Sequence, residues 1–404
     1  MIRALYTITV LELFLGGGGR LLAFGPITLR MVLFVLCFCA SIGLLIFHKA
    51  NDDGAVFLAL GLATAYMLIH GLGLLNGAIK GADATDLISD VQPSLYWMLA
   101  PFFAVVLGSA DMVRHTSRLI CMAGILLAVM YLMAVIGLLS GWLDFNKFYG
   151  DLDATGEFFF RGENFFFYKG FLYLAVSIVF LMLAKNRLSK FAFILVVIAL
   201  TLTLTRGFVI STAAAIIFML FGLRRWKSLS IAIVSTIVAG LCVWVYLPDM
   251  STGFSEQREI SNNVRLDDLN FMLENASAST LLMGEGFGSY INERLNIENS
   301  FLWIWWKLGV AGLIFWLSPL AMTLSYFCRI DKSNPDYHLA CALFYSVILV
   351  YIQTGSNPFL NNPIGLSFVL IALFSLRTLA ILPESRESVV GPARYSDETG
   401  VVAL

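Results

Sequence analysis

The sequence feature that most constrains this chain is a succession of apolar windows, most of them long enough to cross a lipid bilayer as a helix. Backbone polar groups cannot stay unpaired in lipid, and the windows show no ten-residue alternation, so we expect helices rather than barrel strands. The sequence therefore predicts an all-α polytopic membrane protein with about twelve transmembrane helices. The windows lie near residues 4–24, 29–47, 55–79, 88–109, 117–140, 165–184, 189–205, 207–223, 228–247, 300–326, 338–356 and 363–382.

Composition supports the same class, because 59% of the 404 residues are apolar and only 13% are charged. Lysine and arginine are scattered along the chain, which gives no basic patch for nucleic acid. Six cysteines fall in or at the ends of apolar segments, and the four histidines show no metal-ligand spacing. We expect no metal and no cofactor. The N-terminus has no small-residue cleavage pattern, so its first window is a retained span, although Gly16 to Gly19 and Arg20 also allow a half-span.

Basic residues in the short loops orient the helices, because lysine and arginine are enriched on the cytoplasmic side. With the N-terminus inside, the inner loops hold most of them, and both termini are cytoplasmic. The expected parts are nine helices with a periplasmic loop at 141–163 (residues 1–247), a large helical periplasmic loop (248–298), three more helices (299–382) and a cytoplasmic tail (383–404). The inner basic residues are Lys49, Arg114, Arg118, Lys185, Arg187, Lys190, Arg224, Arg225, Lys227, Arg329 and Lys332.

Arg206 breaks this charge rule, as do Arg30 and Arg265, which also fall on or near the outer side. Arg206 stands between two short apolar runs in TLTLTRGFVIST, where we expect the chain to turn and Gly207 to permit the bend. Charge at the membrane edge is costly, which favours a functional site. The alternative is that such arginines reach lipid phosphates or pair with acidic side chains.

Arg265 lies in NNVRLDDLNFMLENAS, a pattern that predicts an amphipathic helix capped by Asn262 or Asn263. On the apolar edge of that helix, its guanidinium could reach an anionic ligand at the membrane. An ion pair with Asp268, three residues on, is the alternative.

The run GEGFGSY at 284–290 places three glycines at alternate positions. No strand precedes it and it lies on the outer face, which excludes a nucleotide-binding loop. Such glycines let the backbone approach a ligand or a neighbouring helix closely, with a plain loop turn as the alternative. Tyr290 at its end is a candidate acceptor or loop contact.

Glu298 stands where the outer loop becomes the next helix, just before Asn299. Simple capping is one role for it. The other is a general base, since partial desolvation at the interface would strengthen its basicity. Asn299 is a second candidate acceptor contact. Lys307, deeper in the helix, is a third, and we expect it to pair with a carboxylate or a helix-end carbonyl.

The tryptophans around Lys307 are typical of an interfacial aromatic belt, and a sugar platform is the alternative. They are Trp303, Trp305 and Trp306.

The order of LTLTRGF, VRLDDL, a G-x-G-F-G-S turn and ENSFL…KLGVAG resembles the bacterial O-antigen polymerase and O-antigen ligase superfamily. The N-terminal LELFLGGGGRLLAFGPITLRMVLF and the late SNPFLNNPIG are similar to stretches of polymerase-type members. In the ligase branch a histidine opens the motif that here begins with Glu298, so the polymerase branch fits better.

The resemblance implies a GT-C-like, metal-independent glycosyltransferase in the bacterial inner membrane, with its active site facing the periplasm. Its substrate would be an undecaprenyl-pyrophosphate-linked oligosaccharide, and a chain-length regulator and a flippase would be partners. Guanidinium groups suit a leaving diphosphate, so we expect Arg206, Arg265 and Arg30 to bind it. Glu298 is the expected catalytic residue, acting on the acceptor hydroxyl.

Three other functions stay open at this point. A ligase would move finished glycan to lipid A core or protein. A non-catalytic polysaccharide transporter or flippase also fits twelve spans, and an assembly scaffold would tolerate loss of Glu298 or Arg206.

Overall fold

The computed structural model of the chain describes residues 1–16, 23–24, 27–47, 53–153, 158–161, 165–184, 187–230, 233 and 263–381. It is mostly helical, as the apolar windows predict. In chain order the helices are α1 (Ile2–Leu15), α2 (Leu29–Ile46), α3 (Asp53–Ile79), α4 (Ala84–Val91), α5 (Ala100–Val106), α6 (Ala110–Leu139), α7 (Phe145–Asp153), α8 (Leu172–Leu183), α9 (Arg187–Leu202), α10 (Arg206–Gly222), α11 (residues 263–275), α12 (Ala278–Met283), α13 (Ser300–Arg329), α14 (Tyr337–Thr354) and α15 (Pro363–Ile381).

Two small antiparallel hairpins and two 3-10 helices complete the described elements. The first hairpin pairs β1 (Ala23–Phe24) with β2 (Ile27–Thr28), and the second pairs β3 (Phe158–Arg161) with β4 (Phe165–Tyr168). The 3-10 helices are Gln92–Leu99 and Lys169–Phe171.

Six of the described helices are long and apolar enough to cross a membrane: α2, α3, α6, α13, α14 and α15. The apolar stretches Lys169–Leu183 and Arg206–Gly222 are shorter. The chain is therefore an all-α membrane protein, while the total of twelve spans stays a prediction. Three predicted segments lie outside the described residues. They are most of window 228–247, residues 17–22 near the end of the first window, and the predicted cytoplasmic tail at 383–404.

The window at 88–109 is not one continuous helix, so that part of the prediction is wrong. It is built from the end of α4, a 3-10 helix and α5. Pro93 and Pro101 occupy first-turn positions of the last two pieces. Proline lacks the N–H that an uninterrupted helix would need there, which explains the breaks.

The core of the bundle lies around α15. In α15, 89% of the apolar window is buried inside the protein, against 28% in α2, whose outer side chains are left for lipid. Contacts join α15 to α13 and α14, and α14 in turn packs on α8 and α10. This packing brings the start of α10, the start of α13 and the end of α14 to one end of the bundle.

Helix α13 is interrupted at Gly309, where φ is 64° and ψ is −161°. The backbone amides of Glu285 and Gly286, which belong to the loop before α13, donate to the carbonyls of Trp306 and Lys307 at 2.6 and 3.0 Å. A broken helix frees carbonyl groups that must find other donors. The glycine run supplies those donors.

Candidate functional site

Arg265 and Glu298 are in direct contact. Nε of Arg265, on α11, donates to Oε2 of Glu298 at 2.9 Å, and Nη2 donates to the same oxygen. Nη2 also donates to the backbone carbonyl of Ser356, just beyond α14, at 3.4 Å. Two predicted site residues are therefore brought together by the fold. The alternative partner, Asp268, is instead held by Arg294.

The cap of α13 is Asn299 rather than Glu298. Its Oδ1 accepts hydrogen bonds from the backbone amides of Phe301 and Leu302 at 3.0 and 3.2 Å. The first turn is thereby satisfied without Glu298, so the capping alternative for that residue is wrong. The Glu298 carboxylate remains available at the surface.

Glu298 is not desolvated as expected. Its side chain is 51% exposed and that of Arg265 is 41% exposed. Oε2 receives both guanidinium hydrogen bonds, and Oε1 accepts no hydrogen bond from another described residue. The pair thus presents one engaged and one unengaged carboxylate oxygen.

Arg206 is the first residue of α10 and is exposed. It makes no ion pair or hydrogen bond with another described residue. The bend before it uses Leu204, whose φ is 53°, so the prediction that Gly207 permits the bend is wrong. Gly207 instead allows close packing, since a Cβ there would lie 2.9 Å from Oγ of Ser356.

Ser356 lies near the start of α10, where Arg206 stands, and also near the side chain of Arg265. Its side chain lies against Gly207, next to Arg206, and its carbonyl accepts from Arg265. Arg265 and Glu298 therefore lie at the turn after α14, and α10, which Arg206 begins, starts beside the same turn. Ser356 is the first residue of the SNPFLNNPIG stretch, and no local pattern there marks this serine as part of a site.

Arg30 has a different environment. It is buried on α2, and its Nε donates to Oε1 and Oε2 of Glu12 at 3.1 and 3.0 Å. Helix α2 contacts α1, α5, β2 and the 3-10 helix Gln92–Leu99. A guanidinium already neutralised by a buried carboxylate is poorly placed to hold a diphosphate. We therefore leave Arg30 out of the proposed site.

The cleft at the Arg265–Glu298 pair is small. Its volume is about 40 Å³, which has room for a few water molecules. A diphosphate cannot enter until the pair separates. The described lining residues are Val264, Arg265, Asp268, Arg294, Ile297, Glu298, Asn299 and Leu302.

The glycine run is a close-packing device, as one of the two readings of the sequence predicts. Gly284, Gly286 and Gly288 all have positive φ, at 76°, 92° and 73°. A Cβ on Gly286 would lie 2.3 Å from the backbone nitrogen of Gly77 on α3. Only glycine combines that backbone conformation with that approach. The run is wedged between α3 and the break in α13.

Lys307 pairs with a carboxylate, which confirms the expectation for a lysine inside the membrane. Its Nζ donates to Oδ2 of Asp90, on α4, at 2.7 Å, and to the carbonyl of Ser289. Both side chains are fully buried. The same Oδ2 accepts from the amide of Gly288 at 2.7 Å. The pair therefore fixes the glycine run to α4 and α13, and no local sequence pattern points to Asp90.

Tyr290 and Glu285 are the two titratable residues of the glycine run. Tyr290 donates to Oδ2 of Asp86 at 2.8 Å, which raises the pKa of the phenol. Burial opposes ionisation of Glu285, but hydrogen bonds from Lys80 and Thr280 outweigh it and lower the pKa of this carboxyl. Both groups stay in the charge states that these bonds require at neutral pH.

Two of the three tryptophans predicted as an interfacial belt are buried, while Trp305 is half-buried and its place at the interface stays a prediction. Trp303 and Trp306 are 1% and 4% exposed and pack against Phe287 and Phe271. They are bundle core, so the interfacial belt is wrong for both. Burial also removes them as a platform for sugars.

Comparison with known proteins gives two matches. A family model described as O-Antigen ligase matches residues 191–317. That span includes Arg206, Arg265, the glycine run and Glu298. A protein named O-antigen polymerase from Shigella flexneri is 30% identical over 385 residues, which cover 93% of this chain and 95% of that relative.

Proposed function

The chain belongs to the bacterial O-antigen polymerase and O-antigen ligase superfamily, and we propose that it is a polymerase of O-antigen or a related surface polysaccharide. Membership makes it an integral membrane enzyme of the glycosyltransferase type that acts on lipid-linked oligosaccharide. A non-catalytic transporter or scaffold is thereby set aside. In our proposal it transfers undecaprenyl-diphosphate-linked glycan to the non-reducing-end hydroxyl of a second lipid-linked repeat unit.

The observation that carries this proposal is the contact between Arg265 and Glu298, beside the turn that also packs against the start of α10. It joins a group suited to phosphate oxygens to a group suited to a sugar hydroxyl. Arg206 adds a second guanidinium with no competing partner among the described residues. A glycosyl transfer from a diphosphate needs these two functions side by side.

In the proposed step, the acceptor hydroxyl oxygen forms a bond to the anomeric carbon of the donor sugar. The bond between that carbon and the diphosphate oxygen breaks, and the electron pair leaves with the diphosphate. The hydroxyl proton passes to the free Oε1 of Glu298. Arg265 and Arg206 stabilise the negative charge that develops on the leaving group. The step requires no metal ion, because the guanidinium groups supply the positive charge.

The closed ion pair represents the resting arrangement in this proposal. Exposed pairs of this kind are worth only about 0.2–1 kcal/mol, so the diphosphate can draw Arg265 away at low cost. Separation would enlarge the small cleft and release Oε2 of Glu298. Substrate binding itself would then assemble the site.

The membrane arrangement is also part of the proposal. We place the site at the periplasmic face of the inner membrane in a GT-C-like bundle, with the part boundaries given above and both termini in the cytoplasm. The basic residues of the inner loops support this orientation. A flippase that delivers the lipid-linked units and a chain-length regulator are the expected partners.

The second candidate is a ligase that transfers glycan to lipid A core or protein. The description of the matching family model favours it. The name of the full-length relative and the glutamate at position 298, where the resemblance places a histidine in ligases, favour the polymerase. The glycan profile of a deletion strain decides: one repeat unit on core supports the polymerase, and bare core supports the ligase.

A further inference from the structure

A second hollow lies on the same face of the protein, between the loop that joins α3 to α4 and the glycine run. We call it the outer groove. Its volume is about 450 Å³, within the range of small-molecule sites and about ten times that of the cleft at Glu298. Its lining includes the polar side chains of Lys80, Asp83, Asp86, Glu285 and Tyr290.

Hydrogen bonds hold several of these side chains in place. Lys80 contacts Oε2 of Glu285 at 2.5 Å, and Tyr290 donates to Oδ2 of Asp86. Tyr290 is nevertheless 50% exposed, so its ring is open to a ligand. Ordered side chains lose little entropy when a ligand binds.

Acceptors remain free in the outer groove. Oδ1 of Asp86 makes no hydrogen bond within the described part of the chain, and the same holds for the whole carboxylate of Asp83. Carboxylate oxygens accept hydrogen bonds from hydroxyl groups, and two on one short helical corner suit neighbouring hydroxyls of a sugar ring. The exposed Tyr290 ring offers an apolar face to the C–H side of such a ring.

The floor of the outer groove is rigid backbone. Gly288 lines it, and its amide is fixed by Asp90, whose side chain is fully buried. Oδ1 of Asp90 lacks a hydrogen-bond partner in the described structure, so an unsatisfied acceptor lies directly behind the floor. Because the Asp90 carboxylate is fully buried, it supports the floor and is not offered to a ligand in the groove.

The two hollows differ in the charge of their lining side chains. The outer groove holds three carboxylates, on Asp83, Asp86 and Glu285, against one ammonium group on Lys80. That balance repels a diphosphate and favours a neutral or amino sugar. The lipid diphosphate belongs at Arg206 and Arg265 instead.

We propose that the outer groove is the subsite that binds the sugar units of the acceptor glycan, an inference that rests on the proposed function. Residues 291–294 form a tight turn in which Ile291 and Arg294 exchange backbone hydrogen bonds at 2.8 and 2.9 Å. Tyr290 lines the outer groove on one side of this turn, and Arg294 lines the cleft of Glu298 on the other. In this proposal the glycan extends from the outer groove past this turn, so that its terminal hydroxyl reaches the cleft at Glu298.

Two measurements on the purified full-length protein in lipid nanodiscs test this inference. The first is direct binding of the strain's own repeat-unit oligosaccharide, released from its lipid by mild acid, followed by saturation-transfer NMR. The second is the KM for the lipid-linked acceptor and the kcat of polymerisation. The variants are Asp83→Asn with Asp86→Asn, and Tyr290→Ala. The control is Asp267→Asn, which removes the same charge from an exposed residue of α11 outside both hollows.

We expect both groove variants to weaken oligosaccharide binding and raise the acceptor KM by about tenfold, with kcat changed less than twofold and the control unchanged. Unchanged binding and KM in a polymerising enzyme would overturn the inference and leave the proposed function standing. Absent polymerisation in the wild type would count against the proposed function, while the binding measurement would still decide the subsite. Carboxylate-dependent binding of Ca²⁺ without binding of the oligosaccharide would also overturn it.

Discussion

Nε of Arg265 lies 2.9 Å from Oε2 of Glu298, although the two residues are 33 positions apart, with Arg265 on α11 and Glu298 in the loop before α13. Both side chains are partly exposed, so the contact contributes little to stability. In the proposed function its value is positional, since it places a guanidinium group suited to phosphate oxygens beside a carboxylate at the rim of the bundle.

Glu298→Gln is expected to lower the polymerisation rate by about 10²–10⁴-fold, the usual contribution of a general base, because the amide cannot take up the hydroxyl proton. Glu298→His is expected to restore part of the rate, since imidazole can accept a proton. The rate is measured with purified protein and lipid-linked repeat units. Wild-type activity in the glutamine variant would exclude proton acceptance by this residue.

Arg206→Ala is expected to abolish chain extension while the protein level in the membrane stays normal, because the exposed side chain has no partner within the described structure to lose. Lipopolysaccharide ladders and an immunoblot of the membrane fraction measure the two quantities. Arg187→Ala is the matched control, since this exposed arginine begins α9 at the predicted cytoplasmic side. Normal long ladders in Arg206→Ala would remove this residue from the site.

Arg30→Ala is expected to act through stability rather than through catalysis. It would leave the buried Glu12 carboxylate without its partner, a change that typically costs about 3–5 kcal/mol. The membrane level of the protein should fall, and a second substitution, Glu12→Gln, should recover part of it. A stable but inactive Arg30→Ala protein would return this arginine to the list of diphosphate ligands.

Gly286→Ala is expected to disrupt the outer loop, because the new Cβ would lie 2.3 Å from the backbone of Gly77 at a φ of 92°. Gly141→Ala is the control: it has a similar φ of 74°, but no atom lies within 4 Å of the new Cβ. Thermal unfolding in detergent should show a much lower Tm for the first variant than for the second. Equal Tm values would mean that close packing of the glycine run is unimportant.

The amount that could be predicted differs between local and long-range features. The apolar windows located α2, α3, α6, α13, α14 and α15, because bilayer thickness alone sets their length. Pro93 and Pro101 break the helix in the window at 88–109. Both are visible in the sequence, but the apolar composition of the window favours a single span. Hydropathy also placed Trp303 at the interface, whereas packing against Phe287 buries it.

The candidate site shows the same difference between local features, which could be predicted, and long-range contacts, which could not. The cost of an isolated ammonium group inside the membrane correctly predicts that Lys307 is a paired residue. Its partner Asp90 lies 217 positions away, and no local pattern connects the two. One of the two interpretations of Arg265 pairs it with Asp268 on its own helix, whereas the fold pairs it with Glu298. Partners across a long loop depend on helix packing, which one sequence does not encode in any short spacing.

The most direct test of the central claim is the polymerisation rate per molecule of the charge-swapped protein, Arg265→Glu with Glu298→Arg, compared with each single variant. A purely structural ion pair would be rebuilt by the swap. We predict that both single variants lose at least about 100-fold in rate and that the double variant stays as inactive, because the diphosphate and the acceptor each need their own partner. Recovery of near wild-type rate in the double variant would contradict the account.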